Sequence, residues 1–218
     1  MVDISKRPDG PVELGKIATY LIAACTISTL GLSLLCPYAI RLLAAPAYWE
    51  GYRVVPLVGA AYIFYSWTVI MDASFYVTKK TLYKLYNVTI AGAVVSLFYY
   101  LLIPRYGMMG AAWATLAGFA SFAGTTALFA QRVYYIRYEM FRIALLFALG
   151  LMFYKLGSFI PVTPMILGIA LRTLVTLAYP VALWLGGFVR EEERKAIGAY
   201  WQVLRVRYLS GAEAQARP

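Results

Sequence analysis

Three ionisable residues, Asp72, Lys155 and Arg172, stand inside otherwise apolar runs of this chain. A charge in hydrocarbon costs on the order of several kcal/mol unless water, a partner or a ligand compensates it, so each asks for an explanation. Arg172 falls about eight residues into its run, roughly 12 Å from the outer end at helical rise. At that depth an anionic ligand or a buried carboxylate would stabilise it; the competing accounts are outward snorkelling of its long stem and structural pairing with another helix. Lys155 lies near the outer end of its run, where snorkelling suffices. Asp72 lies two turns from Lys79 and Lys80, so helix-end pairing competes with a role in cation coupling. Tyr65 and Trp67 fall near the middle of the same run as Asp72, where they could stack on sugar rings in a cavity or pack between helices.

The chemistry that is missing narrows the function as much. The chain has no histidine, which removes imidazole metal sites, Ser-His-Asp hydrolysis and histidine proton relays. Cys25 and Cys36 are 11 residues apart on one predicted helix, separated by roughly 16 Å along its axis, and cannot bridge while that helix is intact. There is no phosphate-binding glycine loop, nucleophile elbow or hydrolytic carboxylate pair. We expect no enzyme activity, cofactor or metal.

These residues are carried by elements that composition already defines. With 62% hydrophobic and 14% charged residues, the chain has more apolar surface than a soluble domain of this size buries. The reading is an all-α membrane protein. Apolar runs long enough to cross a bilayer lie near 17–40, 54–76, 85–103, 108–131, 140–160 and 165–189. Six transmembrane helices are expected, forming one transmembrane domain over 17–189 after a polar N-terminal segment 1–16, so that the first apolar stretch begins too late and runs too long for a cleaved signal peptide. The tail 190–218 places Ile197, Trp201, Leu204 and Tyr208 at helical spacing among charges, which predicts a C-terminal interfacial helix.

The net charge of +10 comes from basic residues dispersed between apolar runs, a pattern that fits anionic membrane lipids and does not fit nucleic acid. Lys6, Arg7, Lys16, Lys79, Lys80, Lys84, Arg132, Arg137, Arg142 and the basic tail fall on one side of the alternating topology, against Arg41, Arg53 and Arg105 on the other. Both termini are therefore expected in the cytoplasm.

The most distinctive run is Leu102-Ile-Pro104-Arg105-Tyr-Gly107 followed by Gly110-Ala-Ala-Trp-Ala114-Thr, with Gly118 beyond. Pro104 and Gly107 predict a sharp turn with Arg105 at the interface, and Gly110, Ala114 and Gly118 recur every four residues as a stripe that another helix can approach closely. With Cys36-Pro37-Tyr-Ala-Ile-Arg41, Ala47-Tyr48-Trp49-Glu50-Gly-Tyr52 and Val54-Val-Pro56-Leu, this run resembles the C-terminal region of polysaccharide and O-antigen flippase-like exporters of the multidrug/oligosaccharidyl-lipid/polysaccharide superfamily, from about residue 15 to 195.

That resemblance implies one six-helix lobe of a two-lobe transporter in the inner (plasma) membrane, moving a polyprenyl-linked glycan outward by alternating access. It also implies a second lobe, supplied by a missing N-terminal part of the chain, a separate partner or a homodimer. A cationic cavity in such exporters is thought to hold the pyrophosphate, and Arg172 and Lys155 are the candidates here, with Tyr65 and Trp67 for sugar stacking. Two further readings stay open. A cation-coupled exporter of small amphiphiles would depend on Asp72, and a noncatalytic scaffold would pack on a partner through the Gly118 stripe. A membrane transferase is disfavoured by short loops with few carboxylates.

Overall fold

The structure is a computed structural model that describes residues 10–78, 82–133, 138–161 and 164–188. The regular elements among its described residues are all helices, in the order α1 (Gly10–Leu43), a short 3-10 helix (Pro46–Val54), α2 (Val55–Met71), α3 (Ala73–Val77), α4 (Leu82–Val133), α5 (Met140–Ser158) and α6 (Met165–Leu185). Five helical segments are long and apolar enough to cross a membrane. The six expected runs map onto these five, because the third and fourth are merged in α4. The predicted interfacial helix within 190–218, the N-terminal basic residues Lys6 and Arg7, and Lys79, Lys80 and Arg137 lie outside the described residues.

Helix α1 begins at Gly10 and runs 34 residues, seven residues ahead of the apolar run at 17. Leu14, Ala18, Ile22, Thr26, Leu30, Leu34 and Tyr38 are all buried at a strict four-residue spacing, so one ridge of the helix faces the core from end to end. Against it pack α2 on one side and α5 on another. Helix α6 closes on both through Tyr179, whose hydroxyl donates to the Leu146 carbonyl at 3.0 Å, and through Thr176, 3.3 Å from the Cβ that a side chain at Gly31 would have.

Helix α4 is 52 residues long, about 78 Å at helical rise and more than twice the bilayer core of about 30 Å. It is not straight. Gly107 has φ 53° and ψ −127°, a conformation that only glycine adopts without strain, and the residues before and after it form two arms, 82–106 and 108–133, that fold back on each other. The break falls at Gly107; Pro104, expected to end the first arm, stays inside the helix. Tyr99 and Thr115 hydroxyls meet at 2.9 Å across the arms. Deeper in the hairpin Asn87 is fully buried, bonded through its amide to both Thr125 and Thr126.

The stripe Gly110, Ala114, Gly118 is buried as expected, but its neighbour is the first arm of the same hairpin. A Cβ at Gly118 would lie 2.8 Å from Val95 Cβ, and one at Gly110 would run into the Leu102 carbonyl. A scaffold that recruits a partner through this stripe is therefore not what the packing shows, because the surface is already filled from within.

Residues Met1–Tyr179 form one compact unit and Pro180–Pro218 a second. In the described part of the second, α6 ends at Leu185 and the turn after it holds Gly187 at φ 75°, with Phe188 donating its N–H to the Leu183 carbonyl at 3.1 Å.

Candidate functional site

The polar residue with most at stake is Arg172. It sits seven residues into α6, about 10 Å along its axis, and is only 6% exposed. Its Nη1 donates to the Leu34 carbonyl at 3.0 Å and its Nη2 to the Ile160 carbonyl at 2.6 Å, while the guanidinium lies 5.3 Å from the centre of the Tyr38 ring. Sequence explains why those carbonyls are on offer. Pro37 inside α1 has no N–H to give the Ser33 carbonyl and loosens the turn that carries Leu34, whose carbonyl takes Arg172 as a further donor. Ile160 lies past the end of α5, where carbonyls have no helical donor.

None of these contacts neutralises the charge. Among the described residues Arg172 makes no ion pair with a carboxylate, and its enclosed Nε has no partner. The residue lines a cavity of about 340 Å³ with Ser33, Tyr52, Tyr154 and Ser158. A cation without an anion, on a cavity of that size, is suited to an anionic group. Of the three accounts offered by the sequence, outward snorkelling does not fit a side chain this buried, structural pairing holds in part, through carbonyls, and anion binding keeps its motive.

Three residues share this cavity with a second space. Ser33, Pro56 and Tyr154 also line a recess of about 260 Å³ whose other walls include Leu30, Leu57, Ile63, Phe147 and Leu151. Lys155 lines neither space; it is exposed near the end of α5, as snorkelling requires, and is not assembled with Arg172.

A third cavity, of about 390 Å³, lies between α2 and the hairpin and collects Tyr65, Thr68, Asp72, Lys84, Gly118 and Phe119 among its walls. Asp72 pairs with Lys84 across it, Oδ2 to Nζ 3.0 Å; Lys79 and Lys80, the partners expected from sequence, lie outside the described residues. Lys84 also donates to the Tyr76 hydroxyl at 2.7 Å. Asp72 stands where α2 breaks before α3. Ser66 and Thr68 prepare that break by bonding back to the Ile63 and Tyr65 carbonyls, offering the backbone a competitor to the helical ladder. We expect Lys84→Met and Asp72→Asn each to lower stability, and the double variant to lose less than their sum, with a coupling of about 1 kcal/mol in a double-mutant cycle of detergent unfolding.

Tyr65 and Trp67 do not act together. Two helical residues apart is about 200° around the axis, and the side chains diverge accordingly. Tyr65 stacks near Phe119, centroids 5.3 Å apart, and lines the third cavity. Trp67 packs on the buried Met71, Phe75 and Ala130 and meets Tyr138 edge-on at 5.8 Å. It is a packing residue, and the expected pair of sugar platforms reduces to Tyr65. Just outside the spans, burial pushes the Tyr138 phenol well above its ordinary range.

Sequence reasoning missed Tyr38, Tyr52, Tyr154 and Ser33 around Arg172, and Asn87 in the hairpin. Pro37 was the available signal for the first group, since a proline inside a long helix marks disturbed carbonyls nearby; a lone asparagine within an apolar run was the signal for the second. Among the described residues no group of acidic, cysteine or histidine side chains is placed to hold a metal ion. No family model, curated protein or solved structure matches the chain.

Proposed function

We propose that this chain is one lobe of a membrane transporter that moves an anionic, lipid-linked oligosaccharide across the inner membrane by conformational change. The observation that carries this reading is Arg172, a buried cation with no carboxylate paired to it among the described residues, on a cavity enclosed by α1, α2, α5 and α6. Such an arrangement can hold a phosphate or an acidic sugar and release it when the helices move, with no bond made or broken. The run 102–118 supports the same reading by its likeness to O-antigen flippase-like exporters. In this reading α4 supplies two crossings, giving six in all with both termini cytoplasmic, and the second lobe comes from a partner, a longer chain or a second copy.

Cation-coupled export of small amphiphiles has less support, because Asp72, the carboxylate it would require, already has Lys84 as its counter-charge. The test is export of lipid-linked glycan in cells carrying Arg172→Ala or Arg172→Gln. Export should fall about tenfold or more, the loss expected when a charge-assisted contact goes, at unchanged protein level in the membrane. Normal export with either variant would overturn the proposal.

A further inference from the structure

We propose that the Arg172 cavity and the apolar recess are the two ends of one binding site for an anionic phospholipid of the surrounding leaflet, its phosphate on Arg172 and an acyl chain in the recess. The inference rests on Arg172 as an anion subsite and adds the identity of the molecule that occupies it at rest. Continuity is the first argument: Ser33, Pro56 and Tyr154 belong to both spaces. A soluble anion would fill the charged end and leave the apolar end empty.

Depth is the second argument. The charged end is closed by residues 158–161, just past the last turn of α5. The apolar end reaches Phe147, which is 11 residues earlier, or about 16 Å along the helix. That is half the bilayer core of about 30 Å. The site therefore grades from cation to hydrocarbon over one leaflet, as a phospholipid does from phosphate to chain end.

Access is the third. Leu151, on the wall of the recess, is 61% exposed, so the recess opens sideways onto the lipid-facing surface and a chain can enter without crossing water. Charge selects among lipids. Among the described residues neither space has a carboxylate on its walls to pair with a zwitterionic amine, so a net anionic headgroup is favoured.

The intact chain, purified and placed in bilayer discs of either phosphatidylglycerol or phosphatidylcholine, gives the test. Native mass spectrometry after detergent release should show a retained phosphatidylglycerol on the wild type, with phosphatidylcholine retained about tenfold less. Arg172→Gln should erase that preference, Arg172→Lys should keep it, and Ala60→Phe, which fills the recess, should lower retention of phosphatidylglycerol about tenfold. An unchanged preference in Arg172→Gln overturns the proposal. So does unchanged retention in Ala60→Phe, or inorganic phosphate displacing the lipid from the wild type as readily as added phosphatidylglycerol does. Arg172-dependent glycan export without lipid retention sinks this inference and leaves the transport reading standing; lipid retention without export does the reverse.

Discussion

Gly110→Val is expected to lower the stability of the folded chain by about 3 kcal/mol, at the upper end for overpacking. The reason is what a side chain there would meet: the Leu102 carbonyl, with the Leu102 carbon 2.6 Å and the Ile103 nitrogen 3.1 Å away. These are backbone atoms. A clash with a side-chain tip can be relieved by a rotamer change, whereas this one is relieved only by opening the turn. Gly107→Ala makes a useful contrast, since a Cβ there has nothing within 4 Å. Its cost is backbone strain alone, about 1–3 kcal/mol. Unfolding titrations in detergent should therefore rank Gly110→Val below Gly107→Ala and both below wild type. The opposite order would mean that close approach of the arms is not what holds the turn.

Gly118→Ile is expected to cost about as much, by a different route that can be reversed. The new Cβ would stand 2.8 Å from Val95 Cβ, 2.9 Å from its Cγ2 and 3.5 Å from its Cα, so most of the obstruction belongs to one side chain. Removing that side chain should restore fit: Gly118→Ile with Val95→Gly should regain much of what Gly118→Ile loses, a coupling of about 1–3 kcal/mol. The check is thermal unfolding of the four proteins of the cycle, each at several concentrations. A loss that depends on protein concentration would point instead to a stripe shared between copies. The packing within α4 predicts a loss that does not.

Much of this architecture was legible in the sequence because hydrocarbon imposes so narrow a rule. Every backbone polar group in a bilayer must be satisfied within its own segment, so runs of about 20 apolar residues had to be helices, and Pro104 to Gly107 had to mark a turn. The glycine stripe announced a close approach, though not with which helix. What sequence did not carry were partners set by tertiary placement. Lys84 as the counter-ion of Asp72 needs α3 and the start of α4 to come together, and nothing at positions 72 or 84 signals it. Arg172 is held by carbonyls of Leu34 and Ile160, and backbone acceptors have no residue type to read. The divergence of Tyr65 and Trp67 was readable, since residues two apart never share a helix face. Helical spacing alone separates them.

The hairpin in α4 bears on how the protein is made. Each arm is about 25 residues, roughly 38 Å at helical rise, enough for one passage through the hydrocarbon. Between them stands one glycine in place of a loop, flanked by Tyr106 and Met108, which are 63% and 49% exposed. A first arm threaded alone would present Asn87 to lipid without Thr125 and Thr126, with Arg105 near its far end at the interface. Pairing of the arms is what satisfies Asn87, so the hairpin is expected to enter the membrane as one object.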